Sequence, residues 1–241
     1  MAMSGRRVFG LAAAFAAIIA GPPAFADAIT LTPADIGRTI TVSYDELADG
    51  EAIGGLSGTA TFTLTGIEDR SYTGTDFSAY VFDFTVTNTS ANGVYSTISS
   101  IGFRTSPDLI LAGLANNTDP VFTSTRIYTN YPGSVGDVDV CFRTSSSENC
   151  GDAVGGVAPG STISHGFILG FSNPITSVTI DDFFMGYQSV SGAGSLTSTT
   201  GIGTIQSGSS GGVGIPEPGM LVLFGLGVAA LGFRRRRAVV G

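Results

Sequence analysis

A chain of 241 residues with a formal net charge of −8 is long enough for one large β domain or two small ones. The charge is unevenly spread: Arg6, Arg7 and Arg234–Arg237 lie at the ends, and Asp27–Gly214 holds five arginines against eighteen acids, a balance of −13. Lysine is absent, and with so large a surplus of acids the middle should repel nucleic acid and anionic membrane surfaces.

In chain order, the first element is a basic pair, Arg6-Arg7, followed by the apolar run Val8–Ala20 and a Gly21-Pro22-Pro23 break. Ala24 and Ala26 then place small residues at −3 and −1 of a cleavage point, so residues 1–26 read as a secretory signal peptide cut after Ala26 by signal peptidase. The run is too short to span a bilayer stably.

Beyond it, apolar and polar residues alternate with period two. Ile40, Val42 and Tyr44 share one face, as do Ala60, Phe62 and Leu64, and then Tyr80, Phe82, Phe84 and Val86. Threonine, serine and aspartate occupy the other faces, the pattern of strands buried on one side. Further strands are expected at Thr97–Arg104, Val121–Tyr128, Val138–Arg143, Ser164–Gly170 and Ile175–Phe184. Asn92-Gly93, Pro107-Asp108, Pro132-Gly133 and Asn173-Pro174 supply turns between them. Only Asp108–Ala115 is a helical candidate, of at most two turns. The expected fold is all-β, an antiparallel β-sandwich over residues 27–188.

Residues 189–214 are rich in Gly, Ser and Thr and read as a flexible linker of about 25–30 Å end to end. Leu196, Ile202 and Ile205 also permit a last edge strand there. The tail, 215–237, joins Pro216-Glu217-Pro218 to fifteen uncharged residues, Gly219–Phe233, and closes on Arg234, Arg235, Arg236 and Arg237. As a helix this run is about 22 Å long, short of the roughly 30 Å hydrocarbon core. The expectation is a single short transmembrane helix whose arginines stay cytoplasmic. The two prolines hold the chain extended around Glu217, a shape suited to a peptidase cleft.

Cys141 and Cys150 are the only cysteines, and in an exported chain a lone pair reads as one disulfide. A two-thiol metal or redox site is the alternative, without a nearby histidine or second cysteine pair to support it. The single histidine, His165, stands where a strand begins and reads as a surface or capping residue. No Gly-x-Ser-x-Gly elbow accompanies it. Asp181 and Asp182 are expected on opposite faces of a strand, whereas Asp137 and Asp139 share a face. The latter two are weak calcium candidates, with Glu148 or Asp152 as further oxygen donors. The default for all of them is solvated carboxylates, and no cofactor or metal is expected. The sequon at Asn88 reads as a strand end and turn, and that at Asn116 as chance.

The tail "GIPEPGMLVLFGLGVAALGFRRRR" resembles the PEP-CTERM sorting signal of Gram-negative, exopolysaccharide-producing bacteria. That resemblance implies cleavage near Pro216–Pro218 by an exosortase, a membrane-embedded cysteine transpeptidase-like enzyme, and release or transfer to the cell surface. The pieces "FDFTVTNTS", "SSIGFRTSPDL", "VDVCFRTSSSENC" and "IDDFFMGYQSV" are similar, in order, to the cistern group of such proteins, which carries no activity over. Around Cys150 the glycines, Gly151, Gly155 and Gly156, are more spread than in that group's pattern.

The expectation for function is a non-enzymatic, exported cell-surface or matrix protein. Its partners would be signal peptidase, the exosortase, the inner membrane through the tail, and extracellular polysaccharide. The alternative is a sugar-binding module or carbohydrate-active enzyme, with Tyr128, Tyr131 and Tyr187 as candidate stacking residues.

Overall fold

The computed structural model describes residues 28–47, 52–115, 121–133, 135–145, 149–150, 154–172 and 174–206. The signal peptide with Ala24 and Ala26, the sequon at Asn116, Glu148 and Asp152, the motif Pro216-Glu217-Pro218, the expected transmembrane helix and Arg234–Arg237 lie outside these residues.

Among the described residues eleven strands form: β1 (Ile29–Leu31), β2 (Thr39–Leu47), β3 (Gly58–Tyr72), β4 (Thr75–Asn88), β5 (Tyr95–Ser106), β6 (Leu109–Ala115), β7 (Ser124–Tyr131), β8 (Gly136–Arg143), β9 (Thr162–Ser172), β10 (Val178–Ser191) and β11 (Ser198–Ile205). All pairings are antiparallel, in the order β6-β9-β4-β3-β2-β11-β10-β5-β8-β7, with β1 on β10. The all-β expectation therefore holds, but not as two separate sheets. One sheet curls on itself until its end strands approach, and Tyr128 Oη of β7 donates to the Leu109 carbonyl of β6. The result is nearly a barrel.

The alternation is realised as read. Ile40, Val42, Tyr44, Ala60, Phe62, Leu64, Tyr80, Phe82, Phe84 and Val86 are all buried in one core. Aromatic rings fill it: Phe167 lies 4.7 Å from Phe82, 4.8 Å from Phe142 and 5.4 Å from Phe84, centroid to centroid. Phe142 belongs to β8 and Phe82 to β4, strands far apart along the sheet path. Their shared neighbour shows that the curled sheet is flattened, with opposite walls in contact as in a sandwich. Large rings at about 5 Å suit such a gap because each buries much apolar surface with few rotamers to freeze.

Three local expectations are corrected. Asp108–Ala115 is not helical: Leu109–Ala115 pairs along β9, so cross-strand partners override a continuous apolar run. β10 runs to Ser191, past the expected end at Phe184. Most consequentially, the span expected as linker holds β11, which is no edge strand but lies between β2 and β10. The folded domain thus reaches Ile205 rather than 188.

Outside the barrel wall a second, smaller apolar cluster forms from Tyr131, Val138, Cys141, Cys150 and Phe184. Tyr131 folds back over the outer face of β5 and hydrogen-bonds Ser100 Oγ at 2.9 Å. A Cβ on Gly102 would stand 2.6 Å from the Tyr131 ring, so glycine is required for the ring to lie there. Cys141 and Cys150 are disulfide-bonded, with Cα atoms 6.2 Å apart, as expected. Serine at both positions is expected to cost about 2.5–3 kcal/mol, the chain-entropy value for so short a loop. Urea unfolding of oxidised protein and the C141S/C150S variant would check it, and a difference under about 0.5 kcal/mol would contradict it.

Candidate functional site

β2, β3, β4 and β9 present threonine and serine outward at every second position, between the buried aromatics. The register aligns them into rows across the strands. One runs Thr204–Ser43–Thr59–Thr87–Thr162, and the next Thr41–Thr61–Thr85–Ser164. Neighbouring hydroxyls bond across strands: Thr39–Thr63 at 2.9 Å, Thr61–Thr85 at 2.5 Å and Thr87–Thr162 at 2.8 Å. A hydroxyl donates once and accepts twice, so each pair keeps hydrogen-bonding capacity toward solvent. Strand spacing of about 4.7–4.9 Å makes the array regular. It sinks into a shallow hollow of about 400 Å³ lined by Thr61, Thr63, Asp83, Thr85 and Ser164. Asp83 is the one charged residue lining it. A hydroxyl-rich surface with a single carboxylate, Asp83, matches a polyol better than an anion or an apolar ligand.

A second hollow, of about 470 Å³, lies beside the tip of the β3–β4 hairpin and is lined by Arg70, Tyr72, Phe77, Leu111, Leu114 and Ile168. Tyr72 is 68% exposed there, although it was not among the aromatics singled out from the sequence. The signal was the following Thr73-Gly74. Both residues adopt positive φ, and Tyr72 pairs with Thr75, which makes a two-residue hairpin that carries the ring into solvent. Of the expected stacking residues, Tyr131 and Tyr187 are buried, and Tyr187 Oη donates to the Tyr44 carbonyl at 2.8 Å. Only Tyr128 is accessible, at 50%.

His165 is not a surface residue. It continues the inward series Ile163, Phe167, Leu169 and Phe171, and its ring packs 5.7 Å from Phe84 and 5.8 Å from Phe122. The alternation in "ISHGFILGF" carried that signal.

Asp181 and Asp182 are also corrected. Ile180 and Phe183 both enter the core with two residues between them, the register against β5 shifts there, and Asp182 takes φ +48°. A β-bulge therefore turns both carboxylates to the outer side, where strict alternation would separate them. Arg104 pairs with Asp182 and donates Nε to the Asp137 carbonyl at 2.9 Å. Burial raises the Asp181 carboxyl above its ordinary range, with Asp182 and Asp139 adding to the rise and Arg104 opposing it. Asp137 and Asp139 do face the same way on β8. Asp139 Oδ2 accepts the Thr105 amide at 2.8 Å, which occupies one of its oxygens. Among the described residues, no three acidic, histidine or cysteine side chains are grouped to hold a metal ion. Asn88 is buried and donates to the Ser96 and Val157 carbonyls, so that sequon is indeed a strand end and turn.

The decisive comparison concerns the tail. Residues 214–237 match the family model of the PEP-CTERM protein-sorting motif. No curated protein and no solved structure matches the chain. The chain thus carries a PEP-CTERM motif that begins after β11, with only residues 207–213 between Gln206 and the match. Every strand among the described residues lies on the N-terminal side of Pro216-Glu217-Pro218.

Proposed function

We propose that this protein is an exported surface or matrix protein without enzymatic activity, held in the inner membrane by its tail and then cut by an exosortase at Pro216–Pro218. The PEP-CTERM match carries this reading. Its position supports it, since cleavage there separates the tail and leaves all eleven strands with the released domain. The ordered likeness of the middle to the cistern group is part of the same reading. In a strain lacking the exosortase, the protein is expected to stay membrane-bound and uncut, seen as a mass increase of the whole tail and a shift to the membrane fraction. Unchanged processing and localisation would overturn the proposal.

The hydroxyl array and the exposed Tyr72 favour a second reading, binding of neutral glycan on the β3–β4–β9 face. A glycan array is expected to show binding that Thr61→Val/Thr85→Val weakens about tenfold. The variant keeps the volume and removes the hydroxyls, so the stability of the sheet is nearly unchanged. Absence of any glycan signal would exclude this reading without touching the first.

A further inference from the structure

Arg143, the last residue of β8, has no exposed surface. Its Nη1 donates to the Asn149 carbonyl at 2.9 Å, within the loop closed by the Cys141–Cys150 disulfide. Its Nε and Nη2 are buried and meet no acceptor among the described residues. The three ion pairs among those residues use Arg38, Arg70 and Arg104, so the guanidinium has no carboxylate partner there.

The neighbourhood adds positive charge. Arg126 of β7 stands opposite Cys141, and Cys141 and Arg143 alternate onto the same face of β8. Burial first, and then the Arg126 charge, push the Arg143 guanidinium below its ordinary range. In a domain carrying −13, two adjacent arginines that form no ion pair among the described residues are an exception to the overall field.

A buried cation without a partner is strongly unfavourable, and an apolar side chain of similar size would pack there at lower cost. The two vacant donors are also not arbitrary. Nε–H and the adjacent Nη2–H form one edge of the guanidinium, the fork that receives two oxygens of a carboxylate or phosphate in parallel. Nη1 is held on the other side by Asn149, which fixes the plane of the fork.

We propose that Arg143, with Arg126 beside it, is a binding site for a small oxyanion, a carboxylate or a phosphate, gripped side-on through Nε and Nη2. The disulfide-closed loop is tied to the site through the Asn149 carbonyl.

The test is thermal unfolding of the full chain in sodium chloride, sodium acetate and inorganic phosphate at matched ionic strength. Wild type is expected to gain about 5 °C in acetate or phosphate at roughly a hundred times the dissociation constant, and Arg143→Met to gain nothing. A response to acetate alone assigns a carboxylate ligand, and one to phosphate alone a phosphate. Glu148 and Asp152 flank Cys150 in sequence, so a Glu148→Gln/Asp152→Asn variant distinguishes a ligand from the chain's own acids. That variant is expected to respond as wild type does. No shift in wild type, an equal shift in Arg143→Met, or a shift that emerges only when Glu148 and Asp152 are neutralised would each overturn the proposal. Should Arg143→Met fail to fold, the Arg143 Nε–H resonance of wild type decides. It must move on titration with acetate or phosphate, and a stationary resonance overturns the site.

Discussion

A chain that stops at Gln188 is expected not to fold, whereas one that stops at Gln206 unfolds cooperatively like the longer protein. The shorter chain lacks β11, whose residues pair on one side with β10, from Phe184↔Ile202 to Gln188↔Ser198, and on the other with β2, from Gly201↔Leu47 to Ile205↔Val42. Removing it opens the sheet in its middle and leaves the facing edges of β2 and β10 unpaired. Each unmade buried backbone bond costs about 1–3 kcal/mol, and a domain's whole stability is about 5–15 kcal/mol. A few lost pairs therefore exhaust it. Circular dichroism and urea titration of the two chains would show the difference. A cooperative transition in the chain ending at Gln188 would show that β2 and β10 can close without β11.

Phe167→Ala is expected to lower stability by about 3–5 kcal/mol, the range for an aromatic removed from a packed core. The ring touches Phe62, Phe82, Phe84, Phe103 and Phe142, at centroid distances from 4.7 to 6.2 Å, and so joins both walls of the flattened barrel. Those neighbours are held by four different strands, β3, β4, β5 and β8, and cannot collapse together, so most of the cavity should persist. In a domain of this size the melting temperature should fall by about 10 °C. Tyr95→Ala, at a site 48% exposed, is the control and should change stability by less than about 0.5 kcal/mol. A Phe167→Ala loss near 1 kcal/mol would mean the walls relax inward, and the core would then be looser than the ring distances show.

These two expectations mark where the sequence was legible. Phe167 lies in a strand whose inward residues are apolar in themselves, so alternation reports it. β11 does not announce itself, because its inward residues include Gly201 and Gly203. A Cβ on Gly203 would come within 2.6 Å of Phe183 Cβ and Val42 Cγ1. The apolar bulk over Gly201 and Gly203 belongs to the neighbouring strands, and at these two positions β11 supplies only backbone, its side chains Ile202 and Ile205 packing to either side. Glycine there reads as linker when it is in fact room for Tyr44, Val42 and Phe183. The same limit hid Arg143 and the pairing of Asp181 with Asp182. A bulge breaks the period locally, and a missing counter-ion is visible only once the strands are assembled.

The sequence by itself determined the PEP-CTERM sorting motif, the disulfide, the all-β class and the inward faces of β2, β3 and β4. Each of these is written in a short run, as a linear motif, a lone cysteine pair or a period of two. Only the tertiary structure decided that the sheet is continuous, that β11 completes it, that threonines align into an outer array and that Arg143 is buried with no carboxylate partner among the described residues. Those features depend on which strands become neighbours, and side chains brought together from distant strands leave no local period to read.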